Sequence, residues 1–218
     1  MNHLSNIEAT NFAKSVNVSR ETLAKFQLYA ELLKHWQKKI NLIGSNTTDS
    51  LWERHFLDSA QLMRCIPKNL ESGPVYDIGS GAGFPGLVLA IMGLKHMHLV
   101  DSDSRKCVFL NEVVRQTNVN AHVTNARFPI ETKRNLYPKA SLIVARALAP
   151  LPKLLDIVFP VISSTTCCIF LKGARSQQEI LDAKHHWHFK LKTFESQTSE
   201  NGKILILSEV SQNGSGAK

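Results

Sequence analysis

The order of apolar and polar residues divides the chain into two stretches of different rhythm. Residues 1–72 have a helical pattern. Ser19 is a natural N-cap with Glu21 in the following turn, and Leu23, Phe26, Ala30, Leu33 and Trp36 then recur near the helical period, which predicts one buried face. A second helix is predicted from about residue 48 to 65, opening with Asp49 and carrying Leu51, Trp52, His55, Leu62 and Met63. Between them lies Lys38-Lys39-Ile40-Asn41-Leu42-Ile43-Gly44, basic and then apolar.

After the turn-forming Glu71-Ser72-Gly73-Pro74, short apolar runs alternate with helical ones. Strands are predicted at 75–78, 96–101, 121–123, 141–145, 166–171, 189–194 and 203–210, with helices after the first, second, fourth and fifth. Such alternation over short loops predicts a doubly wound α/β fold with a mostly parallel seven-stranded sheet, covered on both faces. The expected organisation is an N-terminal helical extension (1–72), a ligand-binding domain (73–210) and a flexible tail (211–218).

The first strand runs into Asp77-Ile78-Gly79-Ser80-Gly81-Ala82-Gly83-Phe84-Pro85-Gly86. Glycines permit a sharp strand-to-helix turn and close approach of a ligand to the main chain. Pro85 suits the first helical position, and the helix N-terminus beyond it is expected to offer unpaired N–H groups to the ligand. Gly81-x-Gly83-x-x-Gly86 also satisfies the dinucleotide fingerprint, so a nicotinamide-dependent oxidoreductase is one reading. Asp77, at the end of the first strand, favours instead a ligand with a cationic amino-acid group, such as S-adenosyl-L-methionine. Asp101, about twenty residues past the loop, can accept hydrogen bonds from ribose hydroxyls in either case.

Composition narrows the setting. Of 218 residues, 43% are hydrophobic and 20% charged, values of a globular chain rather than a disordered one. No apolar run reaches the roughly 20 residues needed to span a bilayer, and Met1–Thr10 lacks the pattern of a secretory signal, so a cytoplasmic location is expected. The net charge of +8 favours polyanionic partners, among them RNA, and leaves open a non-catalytic RNA-binding module. Neighbouring Cys167 and Cys168 point to opposite faces of a strand and suit apolar packing better than a disulfide. No metal site is expected, and Lys184-His185-His186-Trp187-His188 is taken as an exposed helix end.

Several separated segments together resemble the bacterial 16S ribosomal RNA guanine-N7 methyltransferase family (RsmG, or glucose-inhibited division protein B). They are Trp36 to Leu42, Arg54-His55-Phe56-Leu57-Asp58-Ser59, Asp77 to Gly86, Leu99-Val100-Asp101-Ser102, Ala145-Arg146-Ala147 and Leu171-Lys172-Gly173. The resemblance implies a class I methyltransferase fold of Rossmann-like topology acting as a monomer on 16S rRNA or the 30S particle. It implies S-adenosyl-L-methionine contacts at Gly79, Gly81, Gly83, Phe84, Asp101, Phe128, Pro129 and Arg146. Where the family commonly has Arg-x-Glu, this chain has Arg127-Phe128-Pro129, which removes a carboxylate.

The chemistry fits the residue types. Guanine N7 is methylated by in-line displacement and bears no proton, so no general base is needed, only positioning. After the fourth strand stands Ala145-Arg146-Ala147-Leu148 rather than the Asn/Asp-Pro-Pro-aromatic run of amine methyltransferases, and no Pro-Cys offers a nucleophile. Arg146 and Lys172, both at strand ends, are the expected catalytic residues, orienting the base or its phosphate. His55, Asp58 and Ser59, at i, i+3 and i+4, are expected on one helical face, as a polar network locking the N-terminal helices over the cleft.

Overall fold

The computed structural model describes residues 3–44, 47–128 and 137–214. Two helices lead: α1 (His3–Val16), which the apolar pattern did not single out, and α2 (Arg20–Gln37). Ser19 caps α2 as expected, its hydroxyl accepting from the Thr22 N–H at 3.1 Å. The expected helix over 48–65 is not continuous α-helix. It is a π-helical turn (Trp52–Leu57), one α turn, α3 (Asp58–Ala60), and a 3₁₀ turn (Gln61–Cys65). The wider π turn lets the neighbours His55 and Phe56 both be buried while facing different partners.

The remainder alternates as the sequence predicts: β1 (Val75–Ile78), α4 (Gly86–Ile91), β2 (Met97–Asp101), α5 (Ser104–Thr117), β3 (Ala121–Asn125), β4 (Leu142–Arg146), α6 (Leu151–Val158), β5 (Cys167–Lys172), α7 (Ser176–Lys184), β6 (Trp187–Glu195) and β7 (Lys203–Gln212). The sheet has seven strands in the order β3-β2-β1-β4-β5-β7-β6. The first five are parallel, and β7 lies antiparallel between β5 and β6. Strand β7 continues to Gln212, and the Asn213 amide donates to the carbonyls of Lys184 and His185, so ordered structure enters the stretch expected as tail. Strand order reverses between β1 and β4, which opens a crevice at their carboxyl ends.

Two apolar cores flank the sheet. One joins Phe12, Phe26, Tyr29 and Leu33 of the N-terminal helices to α4, α5 and one sheet face, so these helices have no separate core. The other packs α6 and α7 on the opposite face. Cys167 and Cys168 fall one in each, as alternation along β5 requires. At the centre of the first core Phe56, fully buried, meets the rings of Trp52 (4.9 Å between centroids), Tyr29 (5.2 Å), Phe26 (5.4 Å) and Phe84 (5.6 Å).

Phe56→Ala should therefore lower stability by about 3–5 kcal/mol, the usual range for emptying a buried aromatic site. Because the helices share their core with the sheet, denaturant unfolding followed by circular dichroism and by tryptophan fluorescence should give coincident transitions. Separate transitions would show that the N-terminal helices are an independent unit.

Candidate functional site

The crevice beyond β1 and β4 is a cleft of ≈ 1320 Å³, larger than the roughly 300–1,000 Å³ of a small-molecule pocket. Its floor is the glycine loop. Gly79 turns at φ +73°, where a side chain is strained, and a Cβ there would stand 2.6 Å from Leu148 Cδ1 and push that side chain aside. Asp77 lies beneath the loop, fully buried, and its Oδ2 accepts the Gly86 N–H at 2.9 Å. Burial raises its pKa to about 7 despite that hydrogen bond. Asp77 thus shapes the loop from inside the protein, away from the cleft lining, and takes the first N–H of α4 that was expected to face a ligand.

Asp101 ends β2 and does line the cleft. One carboxylate oxygen accepts from Gly81 N–H at 2.7 Å and the other from Asp103 N–H at 2.8 Å. A carboxylate has about four lone-pair sites, so a pinned Asp101 keeps acceptors for a diol. Gly79, Gly81, Phe84 and Phe128 also line the cleft, as does Arg127 at its rim. Gly83 does not: it faces Tyr29 and Leu87. Pro129 lies outside the described residues.

Arg146 ends β4 and gathers the rest of the site. Its Nη1 donates to the Arg54 carbonyl (3.0 Å) and to Asp58 Oδ2 (3.2 Å), its Nη2 to His55 Nδ1 (2.8 Å), and its guanidinium sits 5.0 Å from the Phe84 ring centroid. A guanidinium has no acceptor, so His55 Nδ1 carries no proton and its Nε2–H donates to Thr47 Oγ1 at 2.9 Å. Burial, reinforced by Arg146 and Arg54, lowers the His55 pKa to about 3 and keeps the ring neutral. The Asp58 carboxylate also accepts from Thr198 Oγ1–H (2.7 Å) and the Gln61 amide (2.9 Å), which ties the β6–β7 loop to α3. The network of His55 and Asp58 is thus present, but Ser59 is not in it. The π turn changes the spacing, and Ser59 is fully buried away from the cleft.

Lys172, at the end of β5, lines the cleft and serves as an internal tie. Its ammonium donates to the Ala149 carbonyl (2.6 Å) and pairs with Glu179 at 2.8 Å, and the same Glu179 oxygen accepts the Leu151 N–H. At 8% side-chain exposure this lysine braces α6 against α7. Among the described residues, Arg54, Arg127 and Lys153 stand exposed at the cleft with half-buried Lys106 beside them, while Lys38 and Lys39 are exposed at the end of α2. Sequence reasoning missed Thr47, Gln61 and Thr198, whose roles depend on partners far along the chain. It also missed Tyr29, although a tyrosine on the buried face of α2 demands a partner for its hydroxyl.

The chain is similar to several known proteins. A family model described as rRNA small subunit methyltransferase G matches residues 22–205. The protein of that name from Paramagnetospirillum magneticum is 47% identical over 195 residues, 89% of this chain and 92% of the relative. Its namesake from Rhodospirillum centenum is 41% identical over 206 residues, 94% and 93% respectively. Among solved structures, a putative O-methyltransferase from Klebsiella pneumoniae superposes with a TM-score of 0.59 at 11% identity, covering 92% of this chain and 95% of its own. Aeropyrum pernix fibrillarin with bound S-adenosyl-L-methionine gives 0.53 at 15% identity over 71% and 75%, so both share the fold. By the extent of the family match and the identity to its members, the chain belongs to the rRNA small subunit methyltransferase G family.

Proposed function

We propose that the chain transfers a methyl group from S-adenosyl-L-methionine to N7 of a guanine in 16S ribosomal RNA, by in-line displacement without a general base. Methyltransferase activity comes with the family, which replaces both the nicotinamide reading and a purely binding role. The observation that carries the finer reading is the state of the acceptor groups at the cleft. Among the described residues, the carboxylates of Asp58, Asp101 and Glu179 and both nitrogens of His55 already hold hydrogen bonds. His55, with its pKa near 3, does not take up a proton near neutrality. With the remaining acceptors of Asp101 given to the ribose, a substrate atom that must lose its proton, such as an exocyclic amine, finds no waiting base among these groups, whereas guanine N7 needs none.

The residues present fit the cofactor. Asp101 offers acceptors to a ribose, the main chain at Gly79 and Gly81 allows close approach, and Phe84 and Phe128 supply apolar walls. Bound there, S-adenosyl-L-methionine supplies a methyl group activated by its sulfonium. Arg146 has three of its N–H groups engaged, leaving two of a guanidinium's five for O6 of guanine or for a phosphate, while the N7 lone pair stays free to attack the methyl group. Lys172 acts indirectly, by holding the loop after β4. The exposed cations at the rim neutralise the RNA backbone.

RNA from a strain lacking this gene, incubated with the protein and labelled cofactor, should gain label at N7 of a guanine in the small-subunit RNA. Label on an exocyclic amine, a ribose or a protein would refute the assignment. Asp101→Ala should weaken cofactor binding in calorimetry by about 1.5–3 kcal/mol, the scale of hydrogen bonds to a charged group. Unchanged affinity would remove Asp101 from the site. Arg146→Ala should lower the single-turnover rate at saturating RNA about 100-fold, or about 2.7 kcal/mol, with partial rescue by lysine, which lacks the planar fork. Loss of cofactor binding with RNA binding intact would instead assign Arg146 to the cofactor.

A further inference from the structure

The glycine loop is held from two sides, and only one of them belongs to the sheet. Gly86 is the first residue of α4, so its N–H has no carbonyl partner within the helix. It donates instead to Asp77 Oδ2 at 2.9 Å. The Ala82 carbonyl accepts from the Tyr29 hydroxyl, which reaches in from α2 across 53 positions of sequence. Tyr29 is fully buried, and burial raises its pKa well above the ordinary 10.0, so the phenol remains a donor. Its ring is stacked on Phe84 at 5.6 Å and 19°. Phe84 in turn supports Arg146, at 5.0 Å, and His55, at 4.9 Å between ring centroids. A Cβ at Gly83 would stand 2.6 Å from the Tyr29 hydroxyl oxygen, so residues 29 and 83 are matched in size.

We infer that Tyr29 is a positioning residue for the cofactor. Its hydroxyl fixes the Ala82 carbonyl and its ring fixes Phe84, so that α2 completes the S-adenosyl-L-methionine site from outside the cleft. This rests on the reading that the glycine loop binds that cofactor. The strand-to-helix turn leaves the Gly86 N–H and the Ala82 carbonyl, both buried, each in need of a partner. Asp77 supplies one and Tyr29 the other. Without the hydroxyl the carbonyl is unpaired, and the turn from Gly81 to Gly83 is free to shift.

Tyr29→Phe keeps the ring and its volume and removes only the donor. The dissociation constant and KM for S-adenosyl-L-methionine should rise about tenfold, while kcat at saturating cofactor and KM for RNA change by less than about twofold. Thr166→Ala is the comparator. Thr166 is buried, and its hydroxyl donates to the Ala140 carbonyl at 2.6 Å, at the end of the sheet away from the cleft. It should lower Tm without altering cofactor affinity. In hydrogen exchange the amides of Gly83 and Phe84, both bonded to the Ser80 carbonyl, should exchange faster in Tyr29→Phe while those of β5 do not. Unchanged cofactor affinity, equal weakening in both variants, or uniformly faster exchange would overturn the inference. Failure of the wild-type protein to bind the cofactor would instead refute the cofactor reading itself.

Discussion

A guanidinium can only donate, and the architecture around the cleft depends on finding acceptors for one of them. Arg146 sits where β4 ends, and its acceptors come from the π turn and the first residue of α3: a main-chain carbonyl, a neutral imidazole and a carboxylate. Each contact fixes something beyond itself. The imidazole must present its bare Nδ1, which commits its other nitrogen to Thr47, and the carboxylate carries the β6–β7 loop through Thr198. With side chains only 18% and 16% exposed, the Arg146–Asp58 pair is shielded from the solvent that weakens surface ion pairs. Removing one partner would leave the other charge buried, the costly case.

The second dependence is electrostatic and runs the other way. Asp77 is held where its charge is unwelcome, with one oxygen on Gly86 N–H and the other, also buried, without a hydrogen-bond partner among the described residues. Its pKa of about 7 exceeds the ordinary carboxylate value. The protonated folded form is therefore favoured: this contribution to stability is present below the usual carboxylate range and is lost as pH rises through about 7. The loop geometry is thus maintained against a cost that is largest in neutral and alkaline solution.

Much of this was legible from the order of residues, because helices and strands bury faces at fixed periods. The alternation after residue 73, the cap at Ser19 and the split of Cys167 and Cys168 between two cores all follow from local rules. The glycine loop and Asp101 were legible because turn chemistry is local as well. What escaped depends on distance in space. Nothing near Lys172 in sequence announces that Glu179 and the Ala149 carbonyl converge on its ammonium, and nothing near Gly83 shows that its missing side chain makes room for Tyr29 rather than a ligand. Ser59 was placed with His55 and Asp58 by an α-helical count that the chain does not follow there.

The π turn also limits how the length of this segment can change. A π turn holds one more residue than the α turn it replaces, so residues 52–57 behave as a helix with an insertion. Each residue of an α-helix advances by about 100°. The wider π turn advances less per residue and so absorbs the extra one. Deleting a position there would restore regular helix and keep the later side chains facing much as they do, but would break up the local geometry that presents the Arg54 carbonyl, His55 and Asp58 together to Arg146. Substitutions along this stretch are graded in effect, but a change of length is all-or-none, so the spacing between Trp52 and Asp58 should be tolerant of new residues and intolerant of gaps.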